Sequence, residues 1–145
     1  MKYYIIAGEA SGDLYGSKLI DEIFSVDKKA DIRFWGGDRM IKSGGYNVKH
    51  IKELAFMGFY EVLKNLKTII KNIKFCKNDI KKFNPDKIIY IDYPGFNLKI
   101  CKWAKSKGYK NYYYISPQIW AWKESRIKTI KNNIDKLYVI FPFEK

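Results

Sequence analysis

Tyr3-Tyr4-Ile5-Ile6-Ala7-Gly8-Glu9-Ala10-Ser11-Gly12-Asp13-Leu14 decides the fold: a short apolar run rich in β-formers stops at a glycine, and a helical pattern starts beyond the second glycine. Leu14, Leu19, Ile20, Ile23 and Phe24 mark the inner face of that helix. A buried strand, a glycine-bearing turn and an amphipathic helix make the first half of a βαβ unit, whose second strand lies parallel to the first.

The same alternation continues outward. Asp31 to Trp35 reads as a second strand ending in Gly36-Gly37, a short helix covers Asp38 to Ser43 and closes at Gly44-Gly45, and Tyr46 to His50 is a brief strand. From Leu63 the apolar residues Leu66, Ile70, Ile73 and Ile80 recur at helical spacing, with Ile69, Cys76 and Phe83 widening the stripe until Asn84-Pro85-Asp86 stops it. Lys87 to Ile91 is a nearly continuous β run of the fully buried kind. A helix over Asn97 to Lys107 closed by Gly108, a strand over Asn111 to Ile115, a helix near Glu124 to Asn132 and a strand over Lys136 to Phe141 complete the pattern. The expected class is α/β, a Rossmann-like parallel sheet with flanking helices.

The chain has 145 residues, the size of one domain. At 47% hydrophobic and 17% aromatic it carries too much apolar surface for a disordered segment. Its net charge is +13, and 25 of its 28 cations are lysines; the arginines are Arg33, Arg39 and Arg126. A potential of that sign favours anionic partners: nucleic acid, phospholipid or a phosphorylated substrate. Lys, Ile, Asn, Tyr and Phe together supply 76 residues, and all have A/T-rich codons, so genomic composition accounts for part of the excess. Cys76 and Cys101 stand far apart without a CxxC, and His50 has no cluster around it, so neither a disulfide framework nor a metal site is expected. The apolar run at Tyr3 to Ala7 is too short for a signal peptide, and no stretch approaches the ~20 apolar residues of a spanning helix.

In an open parallel sheet, ligands sit at the carboxyl ends of the strands. Three loops fall there. Gly8, Glu9, Ala10, Ser11, Gly12 and Asp13 join the first strand to the first helix; the glycines permit close backbone approach to a ligand, and Glu9 and Asp13 can accept bonds from sugar hydroxyls, or Asp13 can simply cap the helix. Asp92-Tyr93-Pro94-Gly95-Phe96-Asn97 follows the most buried strand; Asp92 can serve as a general base for a hydroxyl nucleophile or as an Asx-turn residue, with Asn97 capping the next helix. Ser116, Pro117, Trp120 and Trp122 form the third loop, where flat aromatic faces suit sugars, bases and acyl chains.

Lys64, Lys67, Lys71, Lys74 and Lys81 trail the apolar row of the long helix by one position, and Phe56-Met57-Gly58-Phe59-Tyr60 leads into it. A helix with lysines beside its seam and aromatics at its entry suits an anionic membrane surface, or equally a sheet-packed helix with its lysines in water.

Taken together the motifs resemble the lipid-A-disaccharide synthases. The matching residues run in order: Ala7-Gly8-Glu9-Ala10-Ser11-Gly12-Asp13, Gly36-Gly37-Asp38-Arg39-Met40, Met57-Gly58 with Glu61-Val62-Leu63, Pro85-Asp86 with Ile91-Asp92, Pro94 with Phe96-Asn97, Tyr113-Tyr114-Ile115-Ser116-Pro117 with Trp120-Ala121-Trp122-Lys123, and Phe141-Pro142-Phe143-Glu144. The resemblance implies a GT-B glycosyltransferase of lipid A biosynthesis in Gram-negative bacteria. Such an enzyme transfers 2,3-diacylglucosamine from UDP-2,3-diacylglucosamine to the 6-hydroxyl of 2,3-diacylglucosamine 1-phosphate (lipid X), with inversion and release of UDP, without a cofactor or metal. Residues 1–145 would then be the amino-terminal, acceptor-side domain, with the carboxyl-terminal nucleotide-sugar-binding domain absent and this piece inactive alone. Asp92 matches the family's candidate base. Gly8 to Asp13, Asn97, Ser116, Pro117, Trp120 and Trp122 would shape the acceptor side, and Met57, Phe59, Leu63, Leu66 and Ile70 would meet the membrane. The implied setting is peripheral, on the cytoplasmic face of the inner membrane, with room for a homodimer in the full-length enzyme. Where the family often reads Asp-x-Pro-Asp-Phe-Asn, this chain has Tyr93 and Gly95, so a catalytic carboxylate in that loop rests on Asp92. Another GT-B nucleotide-sugar enzyme and a basic nucleic-acid-binding domain are the alternatives; scattered lysines and scarce arginines speak against the second.

Overall fold

The computed structural model describes residues 1–54, 65–115 and 124–138. Six strands appear among them: β1 (Lys2–Ala7), β2 (Asp31–Gly36), β3 (Tyr46–His50), β4 (Lys87–Ile91), β5 (Asn111–Tyr114) and β6 (Lys136–Tyr138). The helices are α1 (Ala10–Val26), α2 (Asp38–Ser43), α3 (Leu66–Phe83), α4 (Pro94–Ser106) and α5 (Glu124–Asn133), with a 3-10 turn at Ile51–Leu54. All neighbouring strands pair parallel, in the order β3-β2-β1-β4-β5-β6. This is the α/β, Rossmann-like sheet the alternation predicts. The strand expected to reach Phe141 is described as far as Tyr138, and the long helix, expected from Leu63, from Leu66.

Alternate residues of the strands feed two cores. Ile5, Ala7, Ile32, Phe34, Ile89 and Ile91 face α1 and α2, meeting Ile20, Ile23 and Met40. Tyr4, Ile6, Trp35, Ile88, Tyr90 and Tyr113 face α3, α4 and α5, meeting Cys76, Ile80, Phe83, Phe96, Ile100, Cys101 and Ile130. The inner face of α1 is finer-grained than its leucines suggest. Gly12 and Gly16 are buried with Ile20 and Ile23, while Leu14, Leu19 and Phe24 are half-buried. A Cβ on Gly12 would stand 3.1 Å from the Ala7 Cβ, so the small residue lets the helix lie close to β1.

Buried polar groups fasten the second layer. Trp35 Nε1 donates to the Tyr4 hydroxyl at 2.9 Å, which donates to Asp79 Oδ2 at 2.8 Å, while Arg33 binds the other Asp79 oxygen at 2.8 Å. One carboxylate on α3 thereby ties that helix to β1 and β2. The helix ends where Asn84 turns left-handed (φ 51°) ahead of Pro85. At the next helix the structure departs from expectation. It starts at Pro94, three residues before Asn97, because proline is suited to the first helical position and lacks only a donor that would go unpaired there. Asn97 therefore lies inside the first turn and does not cap it.

Candidate active site

The chain runs from β1 outward to β2 and β3, and α3 then returns it to the opposite side of β1 as β4. Connections on either side of the β1–β4 pair diverge, which opens a crevice above their carboxyl ends. Two helices begin there. At α1 the N-cap Glu9 is extended and at α4 the N-cap Tyr93 is left-handed, and neither makes a side-chain capping bond. Both helix starts thus present backbone N–H groups and the positive end of a dipole to the crevice.

The loop on β1 divides by burial. Glu9, Ala10 and Ser11 are exposed at the crevice, whereas Gly8, Gly12 and Asp13 are buried. Gly8 has a steric reason to be glycine: a Cβ would sit 2.3 Å from the Tyr93 ring. The close approach foreseen for a ligand is made here by the chain's own aromatic side chain. Asp13 gathers the next turn: its carboxylate accepts from the main-chain N–H groups of Gly37 (2.8 Å), Arg39 (3.2 Å) and Met40 (3.0 Å). It caps α2, not the helix that carries it.

Among the described residues, the loop on β4 has the most unusual backbone. Asp92 (φ 44°) and Tyr93 (φ 50°) are successive left-handed residues without glycine, a conformation costing about 1–2 kcal/mol each unless the surroundings impose it. Asn97 is fully buried and does the imposing in part. Its Nδ2 donates to the carbonyls of Asp92 (2.8 Å), Ile6 (3.3 Å) and Ile91 (3.5 Å), stitching the ends of β1 and β4 together. The Tyr113 hydroxyl donates to the same Asp92 carbonyl at 2.5 Å. Burial pushes the Asp92 carboxyl above the ordinary carboxylate range, against the opposing pull of the Tyr93 N–H and the Arg126 charge on α5. Burial and the Glu9 carboxylate raise the Tyr93 phenol too, and its ring stacks on Phe96 with centroids 5.5 Å apart. Gly95 faces open space, with nothing within 4 Å of where its Cβ would be.

A half-buried carboxyl with raised proton affinity, at the mouth of a crevice bordered by two helix starts, can take a proton from a hydroxyl held there. Asp92 and Asn97 come together in this site with Glu9, Ala10 and Ser11. Ser116, Pro117, Trp120 and Trp122, and of the surface residues Met57, Phe59 and Leu63, lie outside the described residues. Leu66 and Ile70 stand on α3, 51% and 58% exposed. Tyr113 and Arg126 were not singled out as site residues by the sequence. Period-two alternation sends Tyr113 to the face opposite Tyr112 and Tyr114, but its partner on a neighbouring strand end leaves no local signal. Among the described residues no group of three or more His, Cys, Asp or Glu side chains could hold a metal ion, and no helix is long and apolar enough to cross a membrane.

A family model described as lipid-A-disaccharide synthetase matches residues 3–145. Curated relatives named lipid-A-disaccharide synthase include those of Coxiella burnetii, 42% identical over 141 residues, and Trichlorobacter lovleyi, 44% identical over 140. Each alignment takes in 97% of this chain but 38% and 37% of the relative, so the chain spans under two-fifths of their length. Among solved structures, a UDP-GlcNAc 2-epimerase from Neisseria meningitidis bound to UDP-GlcNAc aligns with a TM-score of 0.59 at 10% identity, covering 96% of this chain and 40% of that one. The glycotransferase of kitacinnamycin aligns with a TM-score of 0.59 at 11% identity, covering 90% and 34%. These likenesses establish the fold, the Rossmann-like unit of GT-B proteins.

Proposed function

Because the chain belongs to the lipid-A-disaccharide synthase family, we propose that it forms the acceptor-side half of an inverting glycosyltransferase joining two acylated glucosamines. The donor is UDP-2,3-diacylglucosamine and the acceptor 2,3-diacylglucosamine 1-phosphate. Asp92 takes the proton of the acceptor 6-hydroxyl as that oxygen attacks the anomeric carbon. The bond to UDP breaks in line, the configuration inverts, and UDP departs with its electron pair. Glu9, Ala10 and Ser11 border the acceptor sugar from the β1 side. Ser116, Pro117, Trp120 and Trp122 complete that wall, and the part of the relatives' length that this chain does not span supplies the nucleotide side. Leu66 and Ile70, with Met57, Phe59 and Leu63, rest on the anionic cytoplasmic face of the inner membrane, where diacylated substrates reside.

The observation that carries this reading is the setting of Asp92, held left-handed at the β1–β4 crevice with its carboxyl affinity for protons raised. A general base contributes about 10²–10⁴-fold to such a step. In a chimera joining residues 1–145 to the remainder of the Coxiella burnetii relative, supplied with both acylated substrates, Asp92→Asn should lower disaccharide and UDP formation by about 100-fold or more. Turnover within a few-fold of the parent would remove Asp92 from the role of base.

A further inference from the structure

Tyr113 is fully buried, so its hydroxyl cannot touch a substrate in the crevice. That hydroxyl has one proton to donate, and it goes to the main-chain carbonyl of Asp92 at 2.5 Å. The second bond to this carbonyl comes from Asn97 Nδ2 at 2.8 Å, so both lone pairs are occupied by side chains. Two elements, β5 and α4, therefore close on one oxygen. This oxygen belongs to the first of the two left-handed residues, where an unsupported chain would return to extended backbone. The tyrosine is itself fixed from below: its ring stacks on Tyr90 (centroids 5.7 Å, 30°), whose hydroxyl donates to Asn111 at 2.9 Å.

We infer that Tyr113 is a positioning residue for the transfer reaction, clamping the Asp92 carbonyl with Asn97 so that the left-handed pair aims the Asp92 carboxylate into the crevice. The inference rests on the reading of Asp92 as the base. Burial raises the Tyr113 phenol far above neutrality, with the Asp92 charge adding to it, so the hydroxyl stays a donor throughout the working pH range. The other groups bearing on the loop are Arg126 on α5, which favours the ionised Asp92, and Glu9 across the crevice beside Tyr93.

Tyr113→Phe keeps the ring and its stack and removes only the donor. Two readouts are needed. In the 145-residue chain, carbon NMR reads the backbone shifts of residues 92 and 93 and the titration of the Asp92 carboxyl. In the chimera, steady-state kinetics with both acylated substrates give kcat, KM and the pH profile. The expected result is backbone shifts at 92 and 93 moving toward extended values, and the Asp92 titration moving down toward that of an ordinary carboxyl. With these, kcat should fall tenfold or more at unchanged KM, and the acid limb of the profile should move to lower pH. Tyr112→Phe, on the opposite face of β5, should change none of these. The clamp is overturned if Tyr113→Phe leaves the shifts and the titration as they were. Should Asp92→Asn stay active while Tyr113→Phe moves the titration, the base reading fails and the clamp stands.

Discussion

Asp13 and Asp92 both lie near the carboxyl edge of the sheet, and their surroundings give them opposite uses. The Asp13 carboxylate collects three backbone N–H groups from the turn after β2. Asp13→Ala leaves those donors buried without a partner and removes the α2 cap, a loss of about 2–3 kcal/mol that urea denaturation would register. An unchanged midpoint would mean those bonds contribute nothing net. Asp92 is burdened by its site. Its carboxyl binds a proton more tightly folded than unfolded, so its contribution to stability is full below the unfolded-state value and is lost as pH rises through the raised one. At neutral pH, Asp92→Asn should therefore raise Tm even as it lowers transfer in the chimera about 100-fold or more, and the gain in Tm should disappear in acid. A Tm lowered at pH 7 would contradict the burial cost. How legible these two were in the sequence differs for a physical reason. Asp92 stands where a buried run meets a proline, and that is local information. The partners of Asp13 lie 24 to 27 residues away, and only tertiary structure selects them over its own helix or a ligand.

Helix α3 shows the same lesson one scale up. Its apolar period suggests one stripe laid on the sheet from end to end. Its later turns are so placed, with Cys76, Ile80 and Phe83 buried and Asp79 held by Tyr4 and Arg33, while Leu66 and Ile70 near its start are more than half exposed. Periodicity reports which residues share a face and says nothing about where the supporting sheet ends. The exposed apolar residues alternate with exposed Lys67, Lys71 and Lys74, a surface suited to anionic lipid. Leu66→Ser and Ile70→Ser should each reduce flotation with anionic vesicles roughly fivefold, about 1 kcal/mol per side chain, and change unfolding stability by less than about 0.5 kcal/mol. Undiminished flotation would count against this face as the proposed membrane contact. The start of α4 also depends on more than its local pattern. Asn97 looks like a cap in sequence, but Pro94 starts the helix and frees the amide to join β1 to β4.

At the scale of the molecule, the alternation of strand and helix patterns suffices for a parallel sheet with helices on both faces, since right-handed crossovers leave few other arrangements. The crevice follows from strand order, which no single segment encodes. The charge of +13 is carried almost wholly by lysines, and the three arginines, Arg33, Arg39 and Arg126, stand on three different elements, β2, α2 and α5. Filter binding of duplex DNA at about 50 and 200 mM salt should accordingly show weak retention, whereas a nucleic-acid-binding domain would lose about 10³–10⁵ in affinity across that range. Strand order also sets a timetable. β1 pairs on one edge with β2, Tyr3 beside Ile32, and on the other with β4, Tyr3 beside Lys87. At roughly 5–20 residues per second, a nascent chain carries its central strand with one bare edge for about 3 to 11 s after β2 has been made. For that interval β1, whose last four residues are buried in the finished sheet, is a template for any passing β segment. Chaperone demand during synthesis, and the yield of correctly paired product, are therefore governed by how soon β4 arrives.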